Sequence, residues 1–250
     1  MAPTFRHGRG TAVLANQYNL GGILNDASAE ASVDTVETTV FGNSDKTYLA
    51  GQIDHTVSYK GFYDGAYSTA AMPRSRVQEI IQSALGSTTE LANTYGLEGD
   101  TIGRRSALFS GIPDSLNYSS PVSDAVKVEA SQAMRSRLAR GEWLKDFSTA
   151  LVAATTYTTV NHGSTTAYGG VVHAHVVSWA TTGAWVWRVQ HSSNGSAFSN
   201  LTTARTLNST TQYQRVEVTG TVKRYLKVVT GTLTTGSAPK IGIAYGRNYS

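Results

Sequence analysis

The sequence predicts a mainly β protein: a β-sandwich with long strands and one flanking α-helix, followed by a small C-terminal β-sandwich. Three observations carry that prediction. From Gln52 onward, Ile53, His55, Val57, Tyr59, Gly61 and Tyr63 share one parity, while Gln52, Asp54, Thr56, Ser58, Lys60 and Asp64 share the other. This is the alternation of a strand with one apolar and one wet face. A single stretch, Pro73 to Leu85, repeats its apolar residues at helical spacing. The last hundred residues are short Val-, Thr- and aromatic-rich runs divided by Gly, Asn, Ser and Thr, the pattern of an all-β unit.

Taken in order, residues 1–31 lack a sustained period and are loosened by Gly8, Gly10, Gly21 and Gly22, so they read as an N-terminal arm ordered by contact with a partner. Residues 32–150 form the first unit. Val33 to Phe41 is rich in Val and Thr with mixed parities, a strand partly covered on both faces. Gly42-Asn43-Ser44-Asp45-Lys46 is turn chemistry, and Gly51 closes the connection before the alternating strand. Two strands of roughly ten residues would each run ~33 Å, and an exposed ribbon of that length invites pairing with another chain.

In the helix, Val77, Ile80, Ile81, Ala84 and Leu85 make the stripe that covers a sheet face. Arg74, Arg76 and Gln78 are left to solvent, Pro73 suits the first turn, and Gly86 sits at the C-terminal cap. Gly86 to Gly103 reads as an exposed loop with room for a short strand. Arg104 to Ile112 and Ala125 to Met134 read as a second long pair, with Pro121 in the connection. Arg135 to Lys145 ends the unit, with Leu138, Trp143 and Leu144 as apolar anchors, and Ala150 to Gly163 reads as a small-residue, Thr-rich tether. In residues 151–250 the expected strands are Tyr168–Ser178, Ala184–His191, Gln212–Val218, Arg224–Val229 and Lys240–Ala244. Asn194-Gly195 is the best turn signal, and Trp185, Trp187 and Val189 face the core.

Composition narrows the function. With no cysteine among 250 residues there is no disulfide framework, thiolate nucleophile or thiolate metal site, which fits assembly in a reducing cytoplasm. The N-terminal Arg6 and Arg9 precede no apolar stretch, and no window approaches eighteen apolar residues, so neither a secretion signal nor a membrane span is expected. The formal charge of +4 conceals an asymmetry. Residues 1–150 hold 13 Lys/Arg against 16 Asp/Glu, a net of −3, while residues 151–250 hold 8 against 1, a net of +7. The basic residues of the second half are dispersed along strands, and only Lys223, Arg224 and Lys227 cluster. That pattern suits a solvated or lattice-contacting face better than a nucleic-acid site.

Chemistry is hard to assemble. His173 and His175 would share one face of a strand, and His191 could approach them, but Glu217 is the only carboxylate side chain after residue 150, so no metal is expected. No G-x-S-x-G elbow accompanies the abundant serines. Asp34 and Glu37 fall on opposite parities of one strand, unsuited to a paired-carboxylate mechanism. His55, on a mostly apolar parity, reads as a packing residue. No enzyme and no cofactor are implied.

The run V-D-T-V-E-T-T-x-F-G-x-S-x-K-T-Y from Val33 to Tyr48, then H-T-V-S-Y-K-G-F-Y-D-G from His55, resembles the major tail (tail-tube) proteins of long-tailed bacteriophages. The resemblance continues through G-G-V-V-H-A-H from Gly169, V-Q-H-S-S-N-G from Val189 and R-Y-L-K-V from Arg224. It implies a tail-tube domain at 32–150, with inner-barrel strands and the helix at 73–85, and a homohexameric ring. Each copy would supply four strands to a continuous inner barrel. Twenty-four strands at ~4.8 Å give a circumference of ~115 Å and a backbone diameter near ~37 Å before tilt widens it.

On that resemblance, stacked rings form the conduit for DNA ejection in the virion tail, assembled in the bacterial host cytoplasm. The tape measure protein would occupy the lumen during assembly, terminator and distal tail proteins the ends, and viral DNA would pass without specific binding. Asp54, Thr56 and Ser58 are expected to line the lumen, because Lys or Arg there would hold phosphate. The loop from Gly42 to Ala50, with Gly42, Asn43, Ser44, Asp45, Lys46, Thr47 and Tyr48, is expected to contact neighbouring subunits or rings. The rival reading is a carbohydrate-binding adhesin that recognises the host surface through the C-terminal sandwich, which V-Q-H-S-S-N-G also suits.

Overall fold

The computed structural model describes residues 10–40, 45–63, 77–178, 183–234 and 238–248. Their elements are β1 (Ala12–Ala15), β2 (Tyr18–Asn19), β3 (Leu24–Glu37), β4 (Tyr48–Phe62), α1 (Val77–Ala84), β5 (Leu91–Gly96), β6 (Arg105–Ser119), β7 (Lys127–Met134) and β8 (Ala139–Lys145). There follow β9 (Val160–Asn161), β10 (Gly170–Ser178), β11 (Ala184–Ser192), β12 (Ser199–Asn200), β13 (Arg205–Asn208), β14 (Tyr213–Val218), β15 (Tyr225–Thr234) and β16 (Lys240–Arg247). The protein is mainly β, with antiparallel sheets and α1 as the helix among the described residues.

Strand β6 organises the molecule. Its first half pairs with β5 on one side and β8 on the other, while Gly111–Ser119 pair with β7. Strands β7 and β8 follow one another along the same side of β6, interrupted at 135–138. At that interruption the sheet forks: β7 goes on to β4 and β3, and β8 goes on to β16, β10 and β14. The front branch is therefore a four-stranded sheet, β3-β4-β7-β6. The back branch forms a sandwich with the second sheet, β12-β11-β15-β9, which also carries β13 on β11.

Three apolar clusters follow from this layout. The front core packs Val57 and Tyr59 of β4, Ala130 of β7 and Phe109 of β6 under Ile80, Ile81 and Ala84 of α1. The sandwich core holds Trp185, Trp187, Val189, Leu226, Val228 and Ile243. A third cluster at the fork gathers Leu14, Leu108, Ala139, Trp143, Val171 and Ala244. Gly86, at φ +74°, ends the helix as its position foretold.

Several expectations change. Residues 10–31 are no free arm: β1 is wholly buried against β5, and β3 begins at Leu24, seven residues before Ala31. Residues 86–103 hold β5, buried along its whole length although it reads L-A-N-T-Y-G. Its polar side chains are satisfied internally: Tyr59 Oη donates to Asn93 Oδ1 at 2.8 Å, Asn93 Nδ2 donates to Gln132 Oε1 at 3.0 Å, and Thr94 Oγ1 meets both His173 and His175. In the helix, Ile80, Ile81 and Ala84 are buried as expected, but Gln78 is buried and Leu85 is exposed, the reverse of the expectation at those two positions. Pro73, Arg74 and Arg76 lie outside the described residues.

Nor is 150–163 a tether. Leu151 is buried in the sandwich core, the backbone N–H of Ala154 and Tyr157 donate to Gly231 and Val228 of β15, and β9 pairs with β15. The boundary at residue 150 is crossed by the sheet itself, since β8 pairs with β16.

Candidate assembly interface

The front sheet is held flat against α1 on one face and is wet on the other. Residues directly opposite in antiparallel strands share a face, so the register reads off the wet face as rows. Ser28, Ser58, Ser131 and Ser115 make one row across all four strands. Ser28 and Ser58 hydroxyls lie 2.7 Å apart, as do those of Ser115 and Ser131, and Ser131 Oγ also donates to Asp114. One row up stand Asp26, Lys60, Glu129 and Asn117, and one row down Glu30, Thr56, Ala133 and Ile112.

Its carboxylates are Asp26, Glu30, Asp54, Asp114 and Glu129, and its lysines Lys60 and Lys127. Lys60 Nζ lies 3.9 Å from Glu129, and Lys127 Nζ lies 2.7 Å from Asp124, whose carboxyl is held below its usual range by that hydrogen bond. The lysines are thus matched and most of the acids are free. Asp54 and Thr56 are exposed here and Ser58 is half-buried, all three on the same face, while His55, Val57 and Tyr59 point to the α1 side. Burial pushes the Tyr59 phenol pKa well up, consistent with a packing role rather than a titrating one.

Among the described residues, the two outer strands of this sheet have no strand partner on their outer sides. Strand β3 pairs only with β4. On β6, β5 occupies Ser106–Gly111 and stops, leaving Ile112–Ser119 bonded to β7 alone. Strand directions alternate across the four strands, so β3 of one copy would meet β6 of another antiparallel.

The β3/β4 hairpin also outruns the sheet. Strand β7 ends opposite Thr56, while β4 extends back to Tyr48, so eight residues, ~26 Å of ribbon, project past it. The projecting part is exposed on both faces and carries Val33 (45% exposed), Val36 (60%), Leu49 (66%) and Ile53 (54%). A two-stranded ribbon is marginal by itself in water, and this one is stiffened by Thr38 and Thr47, which bond across its end, and by Lys46 Nζ 3.1 Å from Glu37.

Among the loop residues singled out in the sequence, Asp45, Lys46 and Thr47 lie near the tip and are exposed, and Tyr48 opens β4 rather than sitting in the loop. Gly42, Asn43 and Ser44 lie outside the described residues. The strand expected over 33–41 instead ends at Glu37, and the alternating strand begins four residues before Gln52. A bulge between Val33 and Thr35, opposite Ala50–Ile53, breaks the alternation there, which is why parity alone could not find the strand's true start.

The other candidate chemistry does not come together. His173 and His175 face Thr94 at the fork, fully buried, and His191 lies in the other sheet beside the backbone of Lys223. Burial holds the His175 imidazole down to about 4 and His173 well below its ordinary value. No group of three or more metal-ligating side chains occurs among the described residues. Trp185 and Trp187 are core residues, 2% and 1% exposed, and form no sugar platform. No helix among the described residues is long and apolar enough to cross a membrane. Sequence reasoning missed the free half of β6; its signal was Pro113 and Asp114, the edge-strand residues that follow the buried run Ala107–Ser110.

Fold and interface together define a class: a β protein whose front sheet, among the described residues, is unpaired along both outer edges. No protein-family model and no curated protein matches the chain. Among solved structures, it is similar to a chain from the virion of a native gene transfer agent particle, at 12% identity over 54% of this chain and 98% of that one, TM-score 0.42. It is similar to the SPP1 tail tube at 10% identity, over 54% of this chain and 78% of that one, TM-score 0.42. It is also similar to SPP1 Dit, a protein of the hub adsorption apparatus of phages infecting Gram-positive bacteria, at 12% identity over 94% and 97% of the two chains, TM-score 0.36. The first two likenesses cover about half of this chain and the third nearly all of it.

Proposed function

We propose that the chain is a structural protein of a phage tail tube, whose copies close into stacked rings, hexameric on the family resemblance, around a channel for DNA. One observation carries this reading: the front sheet has two open, antiparallel-compatible edges flanking a face that is polar and net acidic. Pairing β3 of each copy with Ile112–Ser119 of the next satisfies both edges and closes the sheet on itself. With the wet face turned inward, Asp54, Thr56 and Ser58 line the lumen beside Glu30 and the serine row. Phosphates then meet carboxylates and hydroxyls, and the two lysines are already matched, so DNA slides rather than sticks.

The projecting ribbon reaches beyond its own ring and covers its Val33, Val36, Leu49 and Ile53 against the next one. The basic sandwich sits outside. The tape measure protein fills the lumen during assembly, and terminator and distal tail proteins cap the ends.

The cysteine-free sequence makes a direct test clean. Ser28→Cys is combined in turn with Ser115→Cys, Asn117→Cys and Ser119→Cys, all on the wet face. Within one copy Ser28 and Ser115 are three strand spacings apart, ~14 Å, too far for a disulfide. Oxidation of at least one pair should give a ladder of covalent oligomers, and negative-stain microscopy should show rings or tubes. Discrete monomers, with no intermolecular disulfide in any of the three registers, would refute the reading.

A further inference from the structure

The five-stranded sheet buries one face in the sandwich core and leaves the other wet. On the wet face the register sets Gln190 of β11 opposite Lys227 of β15, with Arg188 diagonal to it, opposite Val229. Asn200 stands beside Gln190 on β12, and Asn161 beside Tyr225 on β9. The result is a strip of cations interleaved with carboxamides.

Lys227 and Arg224 are held in place rather than trailing. Lys227 Nζ sits 3.8 Å from the Phe198 ring centroid. The Arg224 guanidinium lies 5.2 Å over Tyr225 and donates Nε–H to Asn161 Oδ1 at 2.8 Å. Gln190 Nε2 donates to Asn200 Oδ1 at 2.9 Å. Lys223 stands at the rim, its Nζ 3.4 Å from Ser199.

The positive charge is also uncompensated. Glu217 is the only Asp or Glu between residues 151 and 250, and it is spent on Arg215, 2.8 Å away on β14 of the opposite sheet. None of the ion pairs among the described residues involves Arg188, Lys223, Arg224 or Lys227. Like charges held together without a counter-charge repel, and a polyanion relieves that repulsion. Fixing Lys227 and Arg224 on aromatic rings lowers the ordering cost of receiving one.

We propose that this face binds a linear anionic polysaccharide, its acidic groups on Arg188, Arg224 and Lys227 and its hydroxyls on Gln190 and Asn200. Nucleic acid fits less well, because Phe198 and Tyr225 each already carry a cation over one face, which leaves less aromatic surface to stack on a base. Neutral sugars lose the charge match. The proposal does not depend on ring closure, since the face belongs to a single copy.

The test uses the full chain and titrates polygalacturonate, neutral dextran and duplex DNA separately at 150 mM salt. Arg188→Gln with Lys227→Gln is compared with Arg104→Gln with Arg105→Gln, a control of equal charge on the front unit. Wild type and control should bind polygalacturonate alike, and the double variant should bind at least about tenfold more weakly, one charge-assisted contact being worth roughly that factor. Dextran should not bind, and DNA should bind more weakly than polygalacturonate. If the double variant loses its fold, Lys227→Glu alone replaces it, with the melting profile as check. Equal binding by variant and wild type, DNA binding as tight as polygalacturonate, dextran binding, or no binding of polygalacturonate by wild type would each overturn the proposal.

Discussion

Adding cations to the wet face of the front sheet should turn a passive channel into one that grips DNA. Glu30 and Asp54 are exposed, lie on adjacent strands and join no ion pair among those described, so replacing both by Lys should change monomer stability by no more than about 0.5 kcal/mol. In a six-copy ring the pair adds about twelve cations to the lumen. If roughly four of them meet phosphate at a time, log K should fall with log salt at a slope of about −3.6. Affinity should then drop by about two orders of magnitude between 50 and 200 mM salt. The assay is co-sedimentation of assembled tubes with linear duplex DNA across that salt range, beside monomeric protein as control. Wild-type tubes should retain little DNA, and Glu30→Lys/Asp54→Lys tubes should retain it steeply and reversibly with salt. If the variant tubes bind no better than wild type, or if monomer gains as much affinity as tube, the wet face does not line the channel.

Four further outcomes are expected. Joining Val33 to Ile53, its direct partner, through Asn-Gly removes the projecting ribbon and leaves Val57 and Tyr59 in register; the product should melt like wild type yet form no stacked tubes by electron microscopy. Because burial lowers the folded-state pKa of His175 to about 4 and that of His173 well below its ordinary value, the unfolded chain binds their protons first as pH falls. Stability should be full above pH 6.5 and drop on account of His175 by about 1.4 kcal/mol per pH unit down to pH 4, with His173 steepening the fall, measured by denaturant unfolding, where a flat profile would contradict the buried placement. A Cβ at Gly141 would lie 1.8 Å from the Tyr245 carbonyl oxygen, so Gly141→Ala should part β8 from β16, cost about 3 kcal/mol or more and split thermal unfolding into two calorimetric transitions. Neutralising β3 with Glu30→Gln and Asp34→Asn should raise the fraction of non-closing dimers in native mass spectra, and no rise would show that charge does not police this edge.

What the sequence revealed and what it hid follow from how local each signal is. Alternation at Val57, Tyr59 and Gly61, the α1 stripe at Ile80, Ile81 and Ala84, and Trp185 and Trp187 in the sandwich were legible because one buried face imposes a period on neighbouring residues. Strand β5 was not, because Asn93 and Thr94 are paid for by partners far away in sequence, Tyr59 and Gln132 for one and His173 and His175 for the other. Linear proximity carries no trace of such partnerships. The fork at 135–138 was hidden for the same reason: Arg135 to Lys145 reads as one run ending the first unit, and only the pairing of β7 with β4 and of β8 with β16 shows that two sheets part there. At the interface, the wet parity of Asp54, Thr56 and Ser58 was visible, but the open half of β6 depends on where β5 happens to stop.

An open edge is a hazard unless it prefers the right neighbour, and in the proposed assembly charge would make the choice. On β3, Asp26, Glu30 and Asp34 fall on the wet-face parity, whereas the free stretch of β6 offers Ser115, Asn117 and Ser119 there with Asp114 as its single acid. Two β3 strands paired antiparallel about a two-fold axis would set carboxylates against carboxylates, each such contact costing roughly 0.2–1 kcal/mol. A β3 strand against β6 sets most of the same carboxylates against hydroxyls and an amide. The self-pairing that would stop at a dimer is thereby disfavoured relative to the head-to-tail pairing that propagates, and a head-to-tail contact must either close into a ring or run on as a filament.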